Sequence, residues 1–292
     1  MTGAVSLGGA RLSRRRAVDR TARALLGGAV VVTTVPLVAI LAYTASRGAR
    51  ALDLGFLTHS MKGVGPLDDA GGAYHAILGT LEQVGIASLI AVPLGLLAAV
   101  YIVEYGRSRL AFWVRFFVDV MTGIPSIVAG LFVFALWVLV LRQGFSGLAA
   151  GLALAVLMLP VVVRSSEEML KLVPDDLREA GYALGVPRWR TTLSVVLPTA
   201  SAGITTGVML AVARVTGETA PLLLTAFGFD AIRSDPFSGP QAALPLYVFS
   251  QAGSAFDVAV QRAWAGALTL IAVVLALTVG ARLLTRRNRL VQ

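Results

Sequence analysis

Three observations on this sequence predict an all-α polytopic membrane protein with six transmembrane helices. Hydrophobic residues make up 57% of its 292 residues and charged residues 14%, and the mean hydropathy is +0.79. Soluble domains are roughly 45–50% apolar and about 25% charged, so the excess of apolar side chains must face lipid. Six apolar runs are long enough to cross a bilayer, and the basic residues gather between alternate runs.

Each predicted span needs about 20 mostly apolar residues to cross about 30 Å of hydrocarbon. The six runs cover residues 24–45, 76–101, 120–141, 147–163, 198–217 and 263–284. A basic stretch that includes Arg14, Arg15 and Arg16 precedes the first run, which is longer than the roughly 7–15-residue core of a cleaved signal peptide. We therefore expect an uncleaved anchor after a basic N-terminal tail at residues 1–23, with residues 24–74 forming the first helix and its outer loop.

The distribution of basic residues predicts the side of the membrane on which each loop lies. With both termini in the cytoplasm, eighteen of the 25 Lys and Arg residues lie inside and six outside, and Arg214 remains within the fifth run. Cytoplasmic loops are the ones enriched in Lys and Arg. The basic tail at residues 286–292 is then cytoplasmic and close to anionic lipid. The long loops are 47–75 and 218–262 outside and 165–197 inside, so we expect partners on both faces as well as contact with membrane lipid.

Several kinds of chemistry are excluded by residues that the sequence lacks. It has no cysteine, which excludes disulfides and thiol catalysis. His59 and His75 are its two histidines, and we predict no metal site. An ATPase needs a glycine-rich phosphate loop that ends in Gly-Lys-Ser/Thr, but neither Lys62 nor Lys171 is followed by Ser or Thr. We therefore expect a chain that is not an enzyme, holds no cofactor and binds no nucleic acid, with any ATP energy supplied by another subunit.

The long inner loop is predicted to form two short helices joined by an elbow. Pro174 suits the first position of a helix, where its missing N–H costs nothing. Gly185 is a natural left-handed stop, and Pro187 can begin the second helix. Arg188 and Trp189 follow in its first turn, where a basic residue opposes the helix dipole. Because Trp and Arg are common anchors of interfaces, we expect this knob to contact a partner.

The fifth run contains one charged residue, Arg214, and Glu218 follows directly after the run. Arg214 follows Pro198 by sixteen residues, or roughly 24 Å of helix, which places it in the outer half of the bilayer. An arginine at the centre of a span costs about 2.5–3.5 kcal/mol and normally faces a cavity. The base-before-acid order is the weaker one in a helix, so helix stability explains the pair poorly. Two interpretations stay open: a structural ion pair, or a substrate path in which the guanidinium binds a tetrahedral oxyanion through two hydrogen bonds.

The segment TGIPSIVAG at residues 122–130 is a second candidate part of the path. Pro125 can begin a helix, and Gly123 can loosen the backbone before it. The freed N–H groups between Thr122 and Ser126 would form a weak anion site near the inner end of the third span. Gly and Pro are also frequent packing features of membrane helices, so both interpretations stay open. The other acids of the spans, Glu82 and Asp119, are interpreted as structural because each lies close to the end of its run.

One motif in the inner loop resembles that of a known family. Glu179-Ala180-Gly181, three residues, Gly185, nine residues, then Val195, Leu197 and Pro198 is similar to the EAA loop of ABC-importer permeases. The family pattern is Glu-Ala-Ala, three residues, Gly, nine residues, Ile-x-Leu-Pro, so Gly181 and Val195 depart from it while remaining small or apolar. In that family the loop docks in a groove on the ATPase. The resemblance therefore implies ATPase coupling by Glu179, Ala180, Gly181, Gly185, Arg188 and Trp189.

Three further segments resemble the phosphate-specific subfamily, the PstA-type permeases of bacterial phosphate importers. They are ARVTGETAPLL at 213–223, TGIPSIVAG at 122–130 and ALPLY at 243–247. The resemblance implies a type I ABC-importer permease fold over residues 75–285, in a multi-pass protein of the bacterial plasma (inner) membrane. It implies a substrate path for phosphate that includes Arg214, Glu218, Thr122 and Ser126. Glu218 would accept the proton that hydrogen phosphate carries and sulfate lacks.

The resemblance also implies a set of partners. These are a second permease subunit (PstC-like), a pair of ATP-binding subunits (PstB-like) that hold ATP and Mg²⁺, and an extracytoplasmic phosphate-binding protein (PstS-like). Three alternatives stay open at this point: an importer permease for sulfate, molybdate or an amino acid, a secondary transporter driven by protons or sodium, and a membrane scaffold or sensor that conducts nothing.

Overall fold

The structure, a computed structural model, describes residues 7–65, 67–106 and 108–289, without the side chains of residues 7–14, 17 and 284–289. The described residues form twelve α-helices and no β-strand. The helices are α1 (Leu7–Ala51), α2 (Leu54–Thr58), α3 (Tyr74–Glu104), α4 (Arg109–Thr122), α5 (Ser126–Val133), α6 (Gly147–Lys171), α7 (Asp175–Ala183), α8 (Arg188–Thr191), α9 (Leu197–Thr216), α10 (Ala220–Thr225), α11 (Leu244–Ala252) and α12 (Asp257–Arg289). Residues 1–6 of the predicted N-terminal tail, Arg107 of a predicted inner loop and residues 290–292 of the predicted C-terminal tail lie outside the described residues.

Five of the predicted spans are continuous helices in the described part of the chain. They are long and apolar enough to cross a membrane, and cover Val18–Ala51, Tyr74–Glu104, Gly147–Lys171, Arg188–Thr216 and Asp257–Leu283. The predicted all-α polytopic architecture is therefore confirmed. Two spans extend into the predicted inner loop. The α6 helix continues to Lys171, and the fifth span begins at Arg188 and reaches α9 through a π-helical segment at Thr192–Val196. The loop predicted at residues 165–197 is correspondingly shorter.

The third predicted span, residues 120–141, is wrong as a single straight helix. Residues up to Thr122 belong to α4, and α5 begins at Ser126 after a bend of 110°. The reason is Pro125, which has no N–H to donate and disfavours helical geometry in the residue before it. After α5 the chain continues as a π-helical segment at Phe134–Val140. The described chain has six spans if the bent pair crosses the membrane as one unit.

Residues 1–47 and 48–292 form two compact units, each described by itself. In the first unit, the apolar side chains of α1 between Leu25 and Tyr43 are exposed on all sides. A helix that is apolar all round suits a lipid environment. The guanidinium of Arg47 lies over the Tyr43 ring, 5.3 Å from its centroid.

The second unit is built around α6, which packs against α3, α4, α5 and α9. Small residues make these contacts close. A Cβ at Gly95 of α3 would lie 2.8 Å from Val162 Cγ1, and a Cβ at Gly207 of α9 would clash with Ser165 Oγ. Glycine and alanine at such positions let membrane helices approach closely, since lipid provides no hydrophobic drive between them.

The loop between α10 and α11 is held against the Gly147 end of α6 and against α3. Gln83 Nε2 of α3 donates to Gln241 Oε1 at 3.0 Å, and the Gln241 amide in turn donates to the Glu82 carboxylate. The N–H of Leu148 donates to Pro236 O at 2.8 Å. Glu82 therefore has a structural partner, as its position at the end of a run predicted.

Candidate functional site

A break between α9 and α10 positions the predicted charged pair. The α9 helix ends at Thr216, and the N–H groups of Gly217 and Glu218 bond to Arg214 O and Val215 O, each at 3.2 Å. The next helix begins only at Ala220. Arg214 therefore lies in the last turn of one helix and Glu218 in the non-helical link to the next. Broken membrane helices are a recurring way to build ion and substrate sites.

The Arg214 side chain is available for a ligand. Its Nε lies 3.9 Å from Glu218 Oε1, too far for a hydrogen bond, and the side chain donates no hydrogen bond to any other described residue. The side chain of Arg214 is 61% exposed, whereas that of Glu218 is 19% exposed. Leu210, one turn earlier on the same helix, is exposed as well. Exposing a guanidinium to lipid costs free energy, so this face of α9 must line water or another protein surface.

The packing of α9 on α6 gives the depth of this pair. Gly207 lies against Ser165, which is roughly 27 Å from the Gly147 end of α6. Arg214 is seven residues further along α9, or roughly 10 Å nearer that end. Arg214 therefore lies roughly 17 Å from the Gly147 end of α6, deeper than the outer-half position predicted from its distance to Pro198.

The second candidate segment lies beside this break. A Cβ at Gly130 of α5 would be 2.5 Å from Pro221 Cα of α10. Ser126 precedes Gly130 by four residues, or about one helical turn, and Glu218 precedes Pro221 by three residues. No hydrogen bond or ion pair joins the two segments directly among the described residues.

Ser126 and Thr122 differ in what they offer a ligand. The N–H groups of Val128 and Ala129 bond to Pro125 O, which leaves the N–H groups of Ser126 and Ile127 without partners in the described chain. Thr122 Oγ1 already donates to Val118 O at 2.9 Å. Ser126 therefore offers free donors, and Thr122 offers only an acceptor.

A shallow groove of about 590 Å³ opens next to the break. Its lining includes Thr219 of the link and Pro245, Phe249 and Ser250 of α11. The ALPLY segment belongs to this same helix. Two of the three segments that resemble the phosphate-specific subfamily thus meet at one groove, and α5 packs on α10 nearby.

The second candidate site is the knob, residues 174–191, which the structure forms from α7, a tight turn and α8. Gly185 has φ +74°, in the left-handed region where glycine is favoured, and its N–H bonds to Tyr182 O at 2.9 Å. Pro174 and Pro187 cap the two helices, each one residue before the helix begins. The predicted helix–elbow–helix is therefore confirmed, except that the second helix runs on into the fifth span.

The knob exposes apolar and charged side chains together. Exposed large apolar residues are Leu177, Tyr182, Leu184 and Trp189, and among them Leu184 is 83% and Trp189 59% exposed. Glu179 and Ala180 are exposed on α7, and the guanidinium of Arg188 lies over the Tyr105 ring, 5.2 Å from its centroid. An exposed apolar patch within a polar rim is typical of a protein–protein contact.

Two buried ionic clusters near the knob were not predicted from the sequence. Arg178 of α7 binds Glu104, the last residue of α3, and Glu104 is 2% exposed. Glu167 of α6 is buried and accepts from three bases. Those bases are Arg115, Arg164 and Lys171, and Arg164 also pairs with Asp119 of α4. Only the i,i+3 and i,i+4 pairs within α6 carry a sequence signal, because the other partners are far apart in the chain.

Comparison with solved structures shows which fold the chain has. The fold matches a chain in a structure of inward-facing conformations of the MetNI methionine ABC transporter, with a TM-score of 0.57, 17% identity and coverage of 74% of this chain and 94% of that one. It also matches a chain of an amino acid ABC transporter, with a TM-score of 0.54, 17% identity and coverage of 73% and 92%. The chain therefore has the fold of an ABC-importer permease.

Its sequence relatives are closer. It is 48% identical to the phosphate transport system permease protein PstA 1 of Mycobacterium tuberculosis, over 95% of this chain and 92% of that protein. It is 41% identical to the PstA of Pasteurella multocida, over 82% of this chain and 84% of that protein. Because residues 91–290 match its family model, the chain belongs to the family of binding-protein-dependent transport system inner membrane components. The resemblance seen in the motifs is thereby confirmed.

Proposed function

We propose that this chain is the transmembrane permease subunit of an ATP-driven importer of inorganic phosphate and forms the translocation path with a second permease subunit. The observation that carries the proposal is the unbonded guanidinium of Arg214 beside Glu218, at the break between α9 and α10. Relatives that are 41–48% identical over most of the chain carry the name phosphate transport system permease, which favours phosphate over sulfate, molybdate or an amino acid.

The anion is held at the break by groups with complementary chemistry. The planar guanidinium of Arg214 donates two parallel hydrogen bonds to a tetrahedral oxyanion. The Glu218 carboxylate accepts the proton of hydrogen phosphate, and sulfate has none to give. The free N–H groups at the start of α5, with Ser126, add weaker donors, and Thr122 lies at the edge of the path. Binding here is weak enough for release, so the external binding protein provides most of the selectivity.

The knob transmits the energy of ATP from another subunit. In this proposal the chain is not catalytic and holds no cofactor; a pair of PstB-like ATP-binding subunits carries ATP and Mg²⁺. They bind the face of the knob that contains Glu179, Ala180, Gly181, Gly185, Arg188 and Trp189. The loop that forms the knob and both terminal tails are rich in basic residues, which supports a cytoplasmic location for the knob and for the two tails.

The opposite face receives the substrate. A PstS-like phosphate-binding protein docks there and releases phosphate into a cavity between this chain and a PstC-like permease when ATP draws the two ATPases together. Release of ADP and phosphate resets the pair. The loop between α10 and α11 and the segment between α1 and α3 form this face of the chain in the proposed orientation.

Uptake of labelled phosphate into vesicles that contain all four components tests the proposal. We expect uptake that requires ATP and the binding protein and that proceeds without an imposed proton or sodium gradient. Vesicles with this chain alone should take up none. Uptake driven by an ion gradient without ATPase would overturn the proposal, as would ATP-driven uptake of sulfate, molybdate or an amino acid in place of phosphate.

A further inference from the structure

Arg178 lies between the knob and the membrane-embedded helices. It belongs to α7, immediately before Glu179, yet its side chain is only 12% exposed because it points away from the free face of the knob. Its Nε and Nη2 donate to Glu104 Oε1 at 3.1 and 3.0 Å. This charge-assisted pair joins α7 to the last residue of α3.

The same guanidinium also binds the end of α6. Its Nη2 donates to Leu170 O at 3.0 Å and its Nη1 to Val173 O at 2.7 Å. The last carbonyls of a helix have no partner within the helix and carry the negative end of its dipole. One side chain thus connects three elements: the helix of the knob and the ends of two long helices.

Stability alone is a poor reason for this arrangement. Burying two charges costs about as much as their attraction returns, and apolar side chains of similar volume would hold the helices together as well or better. A guanidinium with fixed donors in a plane adds a defined orientation. The contact is therefore suited to helices that must keep their relative orientation while they move together.

We infer that Arg178 is a positioning residue that makes the knob, α3 and α6 move as one body, so that displacement of the knob by the ATPases reaches the anion site. This inference rests on the proposed function. From α6 the displacement passes to α9, because Met169 and Ser165 lie against Gly203 and Gly207 without space for a Cβ. Arg214 lies on that same helix, two turns beyond Gly207.

The test compares transport with ATP hydrolysis in the complete complex, reconstituted in vesicles with its ATPase and binding protein. In Arg178→Lys the charge remains but the planar donors are lost. In Arg178→Gln the pair with Glu104 is broken, and a double variant with Glu104→Gln leaves no unpaired buried charge. Asp175→Asn is the matched control, because Asp175 Oδ1 accepts from the same guanidinium at 3.0 Å while its side chain is 88% exposed.

We expect the number of labelled phosphate ions taken up per ATP hydrolysed to fall at least roughly fivefold in the Arg178 variants that assemble, the lower range of coupling between sites. ATP hydrolysis should persist in these complexes, and Asp175→Asn should match the unmodified protein. A purely structural Arg178 would lower the amount of complex but leave this ratio unchanged, and that result would overturn the inference.

Three further outcomes are decisive. If Arg178→Gln alone does not assemble, the double variant gives the answer, with an unchanged ratio counting against the inference and a lowered one in its favour. Failure of all the Arg178 variants to assemble would show that the residue is needed for folding and would overturn a specific role in transmission. If the unmodified complex shows no ATP-driven phosphate uptake, the proposed function itself fails.

Discussion

Gly181 of the knob lies against Thr191, and a Cβ at position 181 would come within 2.8 Å of Thr191 Cγ2 and 2.9 Å of its Oγ1. This contact explains why the chain has glycine where the EAA pattern has alanine. The α7 and α8 helices approach too closely for a methyl group, and Thr191 is itself buried and stiff because it is β-branched. The departure from the pattern thus follows from the packing between the two helices of the knob.

Gly181→Ala should therefore distort the knob. Overpacking costs about 1–3 kcal/mol, offset by up to about 1 kcal/mol from the better helix propensity of alanine. We expect weaker retention of the ATPase during purification and a lower rate of phosphate uptake. Adding Thr191→Ala removes both clashing atoms and should restore ATPase binding. Ala183→Ser, at an exposed position of α7, serves as the control; normal ATPase binding by Gly181→Ala would refute this account of the contact.

Two glycines in spans provide a matched test of helix packing. A Cβ at Gly207 would clash with Ser165 Oγ, whereas a Cβ at Gly85 of α3 would meet no atom within 4 Å. Gly207→Ala should lower the temperature of thermal unfolding in detergent, since overpacking costs about 1–3 kcal/mol. Gly85→Ala should leave it unchanged or raise it, by up to about 1 kcal/mol of helix propensity. Equal effects of the two substitutions would contradict the packing described for α6 and α9.

Five of the six predicted spans are continuous helices, and their places could be predicted because a bilayer imposes both length and apolarity on each span. The limits of those helices could not be predicted from apolarity alone. The α6 helix continues to Lys171 because it also packs below the apolar run, where Glu167 is buried among bases. Pro125 is a clear local signal for a bend. The residues on both sides of it belong to one apolar run, however, so hydropathy gives no sign of the 110° turn.

Contacts between segments that are distant in the chain could not be predicted from the sequence for a different reason. Arg214 and Glu218 are only four residues apart, so their proximity follows from their closeness in the chain. Arg178 and Glu104 are 74 residues apart in the chain, and no pattern in either segment indicates that the two residues pair. Such pairs depend on how α3, α6 and α7 pack together. That packing results from many contacts at once, and no single local pattern in the sequence reveals it.

The loop between α10 and α11 should respond to acid. Asp235 accepts from Ser238 Oγ at 2.5 Å and from the Phe237 N–H at 3.0 Å, and these hydrogen bonds hold its pKa below the ordinary value for aspartate. A lowered pKa means that the carboxylate supports the folded loop at pH above the ordinary aspartate range, and that this support is lost as pH falls through the lowered pKa. Hydrogen exchange of the Phe237 amide, corrected for its intrinsic pH dependence, should become faster over that interval.

Asp235→Asn supplies the comparison for this effect. The variant cannot titrate at this position, so its corrected exchange rate should stay constant over the same pH interval. An equally large acid response in the variant would assign the effect to another group. Because Asp235 is fully exposed, we expect no change in the unfolding temperature of the whole protein.

Arg214→Gln should strongly reduce transport without harming the fold. The Arg214 side chain donates no hydrogen bond within the described chain and is largely exposed, so its removal should change stability by no more than about 0.5 kcal/mol. Phosphate uptake by the reconstituted complex should fall at least about tenfold, since hydrogen bonds to charged groups contribute about 1.5–3 kcal/mol. Arg142→Gln is the control, because Arg142 is an exposed loop arginine, with φ +52°. Normal uptake by Arg214→Gln would remove the pair from the substrate path.

Glu218→Gln tests how the path distinguishes phosphate from sulfate. The carboxylate accepts the proton of hydrogen phosphate and repels sulfate, which has the same shape but no proton to donate. The amide in the variant can donate to either anion and carries no charge. We expect slower phosphate uptake and stronger inhibition by sulfate, measured with the phosphate-binding protein at saturating concentration so that capture does not limit the rate. A difference of roughly tenfold in the sulfate concentration for half-inhibition corresponds to one charge-assisted hydrogen bond. If phosphate uptake and its inhibition by sulfate are both unchanged, Glu218 serves only to balance the charge of Arg214, and the selection of phosphate must lie in the binding protein alone.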